Sequence, residues 1–89
     1  MAMNKYLVEF LGTTFFIFVI LSVGHPVAIG AALALAIMVG GKISGGNFNP
    51  AVSVAMLMAN KLSMNDLMFY VLAQVAGGTV AYQLYKRFK

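Results

Sequence analysis

The stretch Ser44-Gly45-Gly46-Asn47-Phe48-Asn49-Pro50-Ala51-Val52-Ser53 decides how this chain folds. Two glycines open a loose turn. Asn49 is a good helix cap, and Pro50 suits the first helical position, where no backbone N–H is needed. A helix therefore starts at Pro50. Its surroundings are very apolar: of 89 residues 62% are hydrophobic and 9% charged, with a mean hydropathy of +0.91. A soluble chain this small has trouble hiding so much apolar surface, whereas a bilayer removes the need. Inside a bilayer, irregular backbone is tolerated only where it is buried in protein or lines a watery cavity. The loop before Pro50 is thus expected to do one or the other.

Outward from the loop, four apolar segments are legible. The first runs from Leu7 to Gly24, about 18 residues or roughly 27 Å, enough for a thin hydrocarbon core. Lys5 and this run have the outline of a signal peptide. Glu9 interrupts it and no small-x-small cleavage site follows, so a retained spanning helix is the better reading. Gly24-His25-Pro26 reads as a tight reversal. The second segment, Val27 to Gly41, is short for a span. The third, Pro50 to Asn60, has about 11 residues, or roughly 16 Å, half a membrane. Lys61 to Asp66 is a polar turn in which Ser63 and Asn65 are candidate caps. The last segment, Leu67 to Tyr85, is a full span stopped by Lys86, Arg87 and Lys89. The order is span, span, half-span, span, in one domain covering residues 1–89.

Small residues at every fourth position let membrane helices approach closely. Ala28, Ala32, Ala36 and Gly40 form one such stripe, and Ala73, Gly77 and Ala81 another. Both read as packing faces of a bundle. Met56 and Met58 read as gap-filling side chains, and His25 as an interfacial or vestibule residue.

Several function classes are disfavoured. The net charge of +4 comes from scattered or terminal residues, not from a basic patch interleaved with aromatics, so nucleic acid is not an expected partner. Cysteine is absent. His25, Glu9 and Asp66 are too far apart in sequence to suggest a metal site. No nucleophile motif is present, so no enzyme, cofactor or metal is expected. Two residues invite a structural role. Glu9, early in the first helix, either faces inward and braces the N–H groups near Gly45–Asn47, or snorkels to the interface. Gln74 is placed for an interhelical hydrogen bond. Asn49 caps a half-helix whose positive end points at mid-membrane, where its amide can donate to the oxygen of a passing water or hydroxyl. The carbonyls of Gly45, Gly46, Asn47 and Phe48 are expected to face the same path as acceptors.

Taken together, Glu9-Phe10-Leu11-Gly12-Thr13, Asn49-Pro50-Ala51 after Ser44-Gly45, and Gln74 in Tyr70-Val71-Leu72-Ala73-Gln74 resemble the aquaporin (major intrinsic protein) family. The resemblance covers nearly the whole chain and corresponds to one of that family's two inverted repeats. It implies an all-α membrane protein: three transmembrane helices plus one re-entrant half-helix, half of the aquaporin fold. It also implies a passive channel for water or small neutral, glycerol-like solutes, with Glu9 and Gln74 supporting the pore loop.

The departures bear on the solute. Val52 follows the motif where the second repeat usually has the filter Arg. Ile29, followed by Gly30, stands at another filter position, and Lys42 and Asn47 stand where many first repeats carry His. The expected filter is apolar, with Ile29 opposite Ile29 across a dimer, and wider than one built with Arg. Three spans and a half-helix do not close a pore, but an inverted second copy completes one. Lys5, Lys42 and Lys61 fall on one side of the membrane and Lys86, Arg87 and Lys89 on the other. This tie removes the positive-inside bias and suits both orientations. The expected assembly is an antiparallel homodimer in membrane lipid, four such pores together by the family's habit. The alternatives are a half-channel completed by a different chain, or a non-conducting membrane structural or interaction protein.

Overall fold

The computed structural model describes residues 4–89, which form four helices: α1 Lys5–Ser22, α2 Pro26–Ser44, α3 Pro50–Met58 and α4 Met64–Phe88. Each starts on a side-chain cap. Asn4 Oδ1 accepts from the N–H groups of Tyr6 (2.7 Å) and Leu7 (3.4 Å), so α1 begins two residues before the apolar run. His25 Nδ1 accepts from Val27 N (3.2 Å) ahead of Pro26. Ser63, not Asn65, caps α4, its hydroxyl accepting from Asp66 N at 3.1 Å; Asn65 lies within the helix.

The C-termini follow equally local rules. Left-handed Gly24 (φ 69°) ends the α1 turn. The end of α3 is a Schellman motif: Asn60 is left-handed (φ 61°), Lys61 N donates to Met56 O (2.8 Å) and Asn60 N to Leu57 O (3.0 Å). α2 is longer than the apolar pattern suggests. It continues through Gly40 and Gly41 to Ser44 and stops at left-handed Gly45 (φ 90°), making 19 residues and a full span. Gly40 is there for packing: a Cβ on it would lie 2.6 Å from Val8 Cγ1.

α1, α2 and α4 are long and apolar enough to cross a membrane, whereas α3 has nine residues. α1 and α4 run the same way. Their starts are joined by Lys5 Nζ–Asp66 Oδ2 (2.7 Å) and by the Tyr6 hydroxyl on Asp66 Oδ1 (2.6 Å). Their ends meet around Phe18, Leu21, Tyr85 and Phe88. α2 packs on α1, runs back from the far end and places Lys42 on the side of Lys5 and Lys61. α3 packs on α4.

The small-residue stripes are contact faces: Ala32, Ala36, Gly40, Gly77 and Ala81 are buried. At Gly77 a Cβ would sit 2.7 Å from Phe10 O, so α1 and α4 approach backbone to backbone there. The interior is as polar as it is apolar. Val8, Ala32, Ala36, Phe48, Tyr70 and Ala81 are buried, and so are Glu9, Thr13, Ser44, Asn47, Ser53 and Gln74. Leu35, Met38, Val39, Met68 and Leu72 point outward. Such an arrangement suits lipid on the outside and a largely hydrogen-bonded polar network within.

Candidate functional site

The five residues between α2 and α3 are where the backbone departs from helix. Gly45 (φ 90°), Gly46 (φ 66°) and Phe48 (φ 53°) are left-handed. Successive turns of this kind gather backbone N–H groups into a concavity suited to an anion. Glu9 supplies the anion from α1 and is fully buried. Its Oε2 accepts from the Ser44 hydroxyl (2.7 Å) and Asn47 N (3.1 Å). Its Oε1 accepts from Phe48 N (2.7 Å) and Gln74 Nε2 (2.9 Å). Four donors thus occupy one carboxylate, about its full capacity. The interfacial position that the sequence left open for Glu9 does not occur.

A left-handed Phe is costly, on the order of 1–2 kcal/mol. Packing holds it. The Phe48 ring lies in a notch cut by two glycines: a Cβ on Gly12 would be 2.1 Å from its Cε1, and one on Gly40 3.5 Å from its Cζ. Val8 and Ala36 complete the apolar cluster.

A second set of bonds fixes α3. Ser53 Oγ, on its first turn, accepts from Asn47 Nδ2 (2.8 Å) and Gln74 Nε2 (2.9 Å). The Tyr70 hydroxyl donates to Ser44 O (2.6 Å), tying the end of α2 to α4. Gly46 N donates to Ser44 Oγ (3.1 Å). The structure therefore brings Glu9, Gln74 and the loop together. It adds Ser44, Ser53 and Tyr70, which sequence reasoning did not single out. Ser44 and Ser53 flank the signature as ordinary small polar residues, and Tyr70 carries no local signal beyond its place one turn before Gln74.

With no cis peptide among the described residues, each carbonyl points opposite the N–H of its own peptide. The N–H groups of Gly46, Asn47 and Phe48 turn toward Ser44 and Glu9. The carbonyls of Gly45, Gly46 and Asn47 therefore turn away from that cluster. Asn49 is exposed and caps α3, its Oδ1 accepting from Ala51 N at 2.8 Å. Its Nδ2 makes no hydrogen bond among the described residues. Pro50 and Ala51 are exposed too, while Val52 and Ile29 are half-buried. α2 and α3 do not contact each other, so Ile29 and Val52 are apart within one chain.

These features define a polytopic integral membrane protein built around a broken helix, whose re-entrant half-helix starts on a braced polar loop. Comparison with known proteins gives the family. The major intrinsic protein model matches residues 1–89. A glycerol uptake facilitator protein-like 6 of Lactiplantibacillus plantarum is 44% identical over 95 residues, covering 97% of this chain and 44% of the relative. Aquaporin Z of Brucella melitensis biotype 1 is 40% identical over 95 residues, covering 89% of this chain and 41% of the relative. The aquaglyceroporin AqpS of Rhizobium meliloti is 42% identical over 55 residues, covering 62% of this chain and 24% of the relative. The chain belongs to the major intrinsic protein family. It spans less than half the length of these relatives. No solved structure matches it.

Proposed function

We propose that this chain is half of a passive pore for water and small neutral solutes such as glycerol, completed by an inverted second copy. The observation that carries the reading is Asn49. Its carbonyl is used up on Ala51 N, so the amide is turned with its two N–H donors outward, on an exposed surface at the positive end of a half-helix. A permeating hydroxyl exchanges a water partner for this amide, and a cation meets the positive helix end. The outward carbonyls of Gly45, Gly46 and Asn47 serve as acceptors along the same path. Glu9 and Gln74 hold the loop in place. Relatives named as a glycerol facilitator-like protein and as an aquaporin support both solutes.

Inversion has a consequence for the filter. Ile29 lies one turn from the Gly24–Pro26 reversal, on the far side of the membrane from Lys42 and Lys61. Turning a second copy over brings its Val52 to that same far side. The filter partner of Ile29 is therefore Val52 of the other copy, and the two Ile29 side chains sit at opposite ends of the pore. This replaces the Ile29–Ile29 pairing expected from sequence. Neither residue brings a donor, so selection rests on diameter.

A second reading has its own observation. Val52 at the usual Arg position suits a chain whose partner is a different half that carries the Arg. Osmotic swelling of liposomes holding the purified chain distinguishes the two. Water and glycerol flux from the chain alone, with a carboxyl-terminal reporter found on both faces, supports the inverted homodimer. Flux only after a second, Arg-bearing half is added supports the other reading, and no flux in either case overturns the channel.

A further inference from the structure

Ser44 O sits where the helix breaks. Ser44 is the last residue of α2, just before the chain turns into left-handed Gly45. The last carbonyls of a helix have no partner within it. Phe48 N, the donor that a continued helix would offer to Ser44 O, is taken by Glu9. Among the described residues the Tyr70 hydroxyl, at 2.6 Å, is the one donor to Ser44 O. A tyrosine hydroxyl is aimed by whatever holds its ring. The Tyr70 side chain is 2% exposed, and Tyr6 stands edge-on against it, ring centroids 5.9 Å apart. Tyr6 is itself held at both ends. Asn4 Oδ1 accepts from its N–H, and its hydroxyl donates to Asp66 Oδ1 at 2.6 Å. Asp66 and Tyr70 lie one turn apart on the same face of α4. Tyr6 bridges the two, so the Asp66 carboxylate is linked through two aromatic rings to the backbone where α2 stops.

We propose that Asp66 is a positioning residue for the loop. Through Tyr6 and Tyr70 it fixes Ser44 O, and with it the direction in which the Gly45, Gly46 and Asn47 carbonyls leave α2. That these carbonyls meet a permeating solute rests on the proposed function; their position does not. The Tyr6 hydroxyl carries the effect, not the ion pair. Lys5 Nζ reaches the other carboxylate oxygen at 2.7 Å, but its side chain is 42% exposed, and exposed pairs contribute little. Asparagine at position 66 keeps an acceptor for Tyr6 and loses the charge, whereas leucine loses both.

The test uses the full chain in detergent micelles. Ser44-Gly45 is the only Ser-Gly pair in the sequence, so carbonyl-13C serine with 15N glycine gives one correlated NMR signal, from the Ser44 carbonyl. Tyr70→Phe should move that signal upfield, because the carbonyl loses its donor, and set the scale. Asp66→Leu and Tyr6→Phe should move it the same way and speed hydrogen exchange at residues 45–48 by about two- to fivefold, the worth of one weakened hydrogen bond. Asp66→Asn and Lys5→Met should leave both readings at wild type. In a Tyr70→Phe background, Asp66→Leu should have no further effect on either reading. A role of Asp66 confined to starting α4 predicts otherwise: faster exchange at residues 64–67 and an unmoved Ser44 signal. That result, an unmoved signal in Tyr6→Phe, additive shifts in the double variant, or an Asp66→Asn signal displaced as far as that of Asp66→Leu each overturns the proposal. Tyr6→Phe keeps the Asp66 charge and the ring, so it tests the same link where Asp66→Leu fails to fold. No transport is measured, so failure of the channel reading leaves these outcomes unchanged.

Discussion

Replacing Glu9 with Ala withdraws the acceptor from four donors at once, and the structure indicates how much each loss matters. Gln74 Nε2 keeps its bond to Ser53 Oγ at 2.9 Å. The Ser44 hydroxyl can turn to Gly40 O, 3.4 Å away. Asn47 N and Phe48 N have no such alternative. Each buried donor left unpaired costs about 1–3 kcal/mol, so the two together cost about 2–6 kcal/mol. The left-handed Phe48 adds strain that Glu9 no longer opposes. The loop should therefore open while the spanning helices persist, because their contacts at Gly77, Ala81 and Ala36 do not involve Glu9. Hydrogen–deuterium exchange of the peptide covering residues 44–53 in detergent reads this directly. Protection should fall by about 30-fold or more there, following the lower end of that range, and stay unchanged in the middle of α1 and α4. Unaltered protection over residues 44–53, with unaltered thermal stability, would refute the argument that the carboxylate holds the loop.

Asn49→Asp should leave helix capping intact, since a carboxylate also accepts from Ala51 N. It should admit cations, because a negative charge opposes the half-helix field; ion conductance in planar bilayers checks this, and wild-type exclusion would remove Asn49 from the path. Gly12→Val should be among the most damaging single changes, on the order of 2–3 kcal/mol or more, because the Phe48 ring already occupies the space; a thermal melt no lower than that of Gly30→Val, where nothing lies within 4 Å of the added Cβ, would contradict the notch. Thr13→Val should be neutral or stabilising by up to about 1 kcal/mol, since its buried hydroxyl has no partner; a clear loss of stability would reveal a bond to the hydroxyl. Ile29→Phe should reduce glycerol swelling before water swelling in reconstituted vesicles, and equal loss of both would place Ile29 away from the constriction.

The sequence carries the elements well because local chemistry sets them. Pro26 and Pro50 each open a helix behind a capping His or Asn, and the Gly45 turn closes α2. It fails where two rules compete. Gly40 and Gly41 look like a stop, yet α2 runs on because glycine there admits Val8. Asn65 looks like a cap, yet Ser63 is better placed to accept from Asp66 N. In the site, Glu9 stands out because an acid in a spanning helix demands donors. Ser53 and Tyr70 do not stand out, since their importance lies in positions reached only after α3 and α4 are packed. The exact donors on Glu9 also depend on tertiary geometry: Asn47 and Phe48 supply them because the glycines before them are left-handed.

The geometry also divides labour between Glu9 on α1 and Asn49 in the broken segment. Three independent contributions fix the loop: the carboxylate of Glu9, the glycine notch around Phe48, and the Ser53 clamp on Asn47 and Gln74. None of them uses the Asn49 amide nitrogen. Asn49 contributes to structure only through one capping bond, worth about 1 kcal/mol. Because the loop is over-determined elsewhere, that nitrogen stays unpaired at the surface without the loop giving way. On the proposed reading, stability and transport are therefore separable: changes at Glu9 should act first on folding, and changes at Asn49 first on what passes.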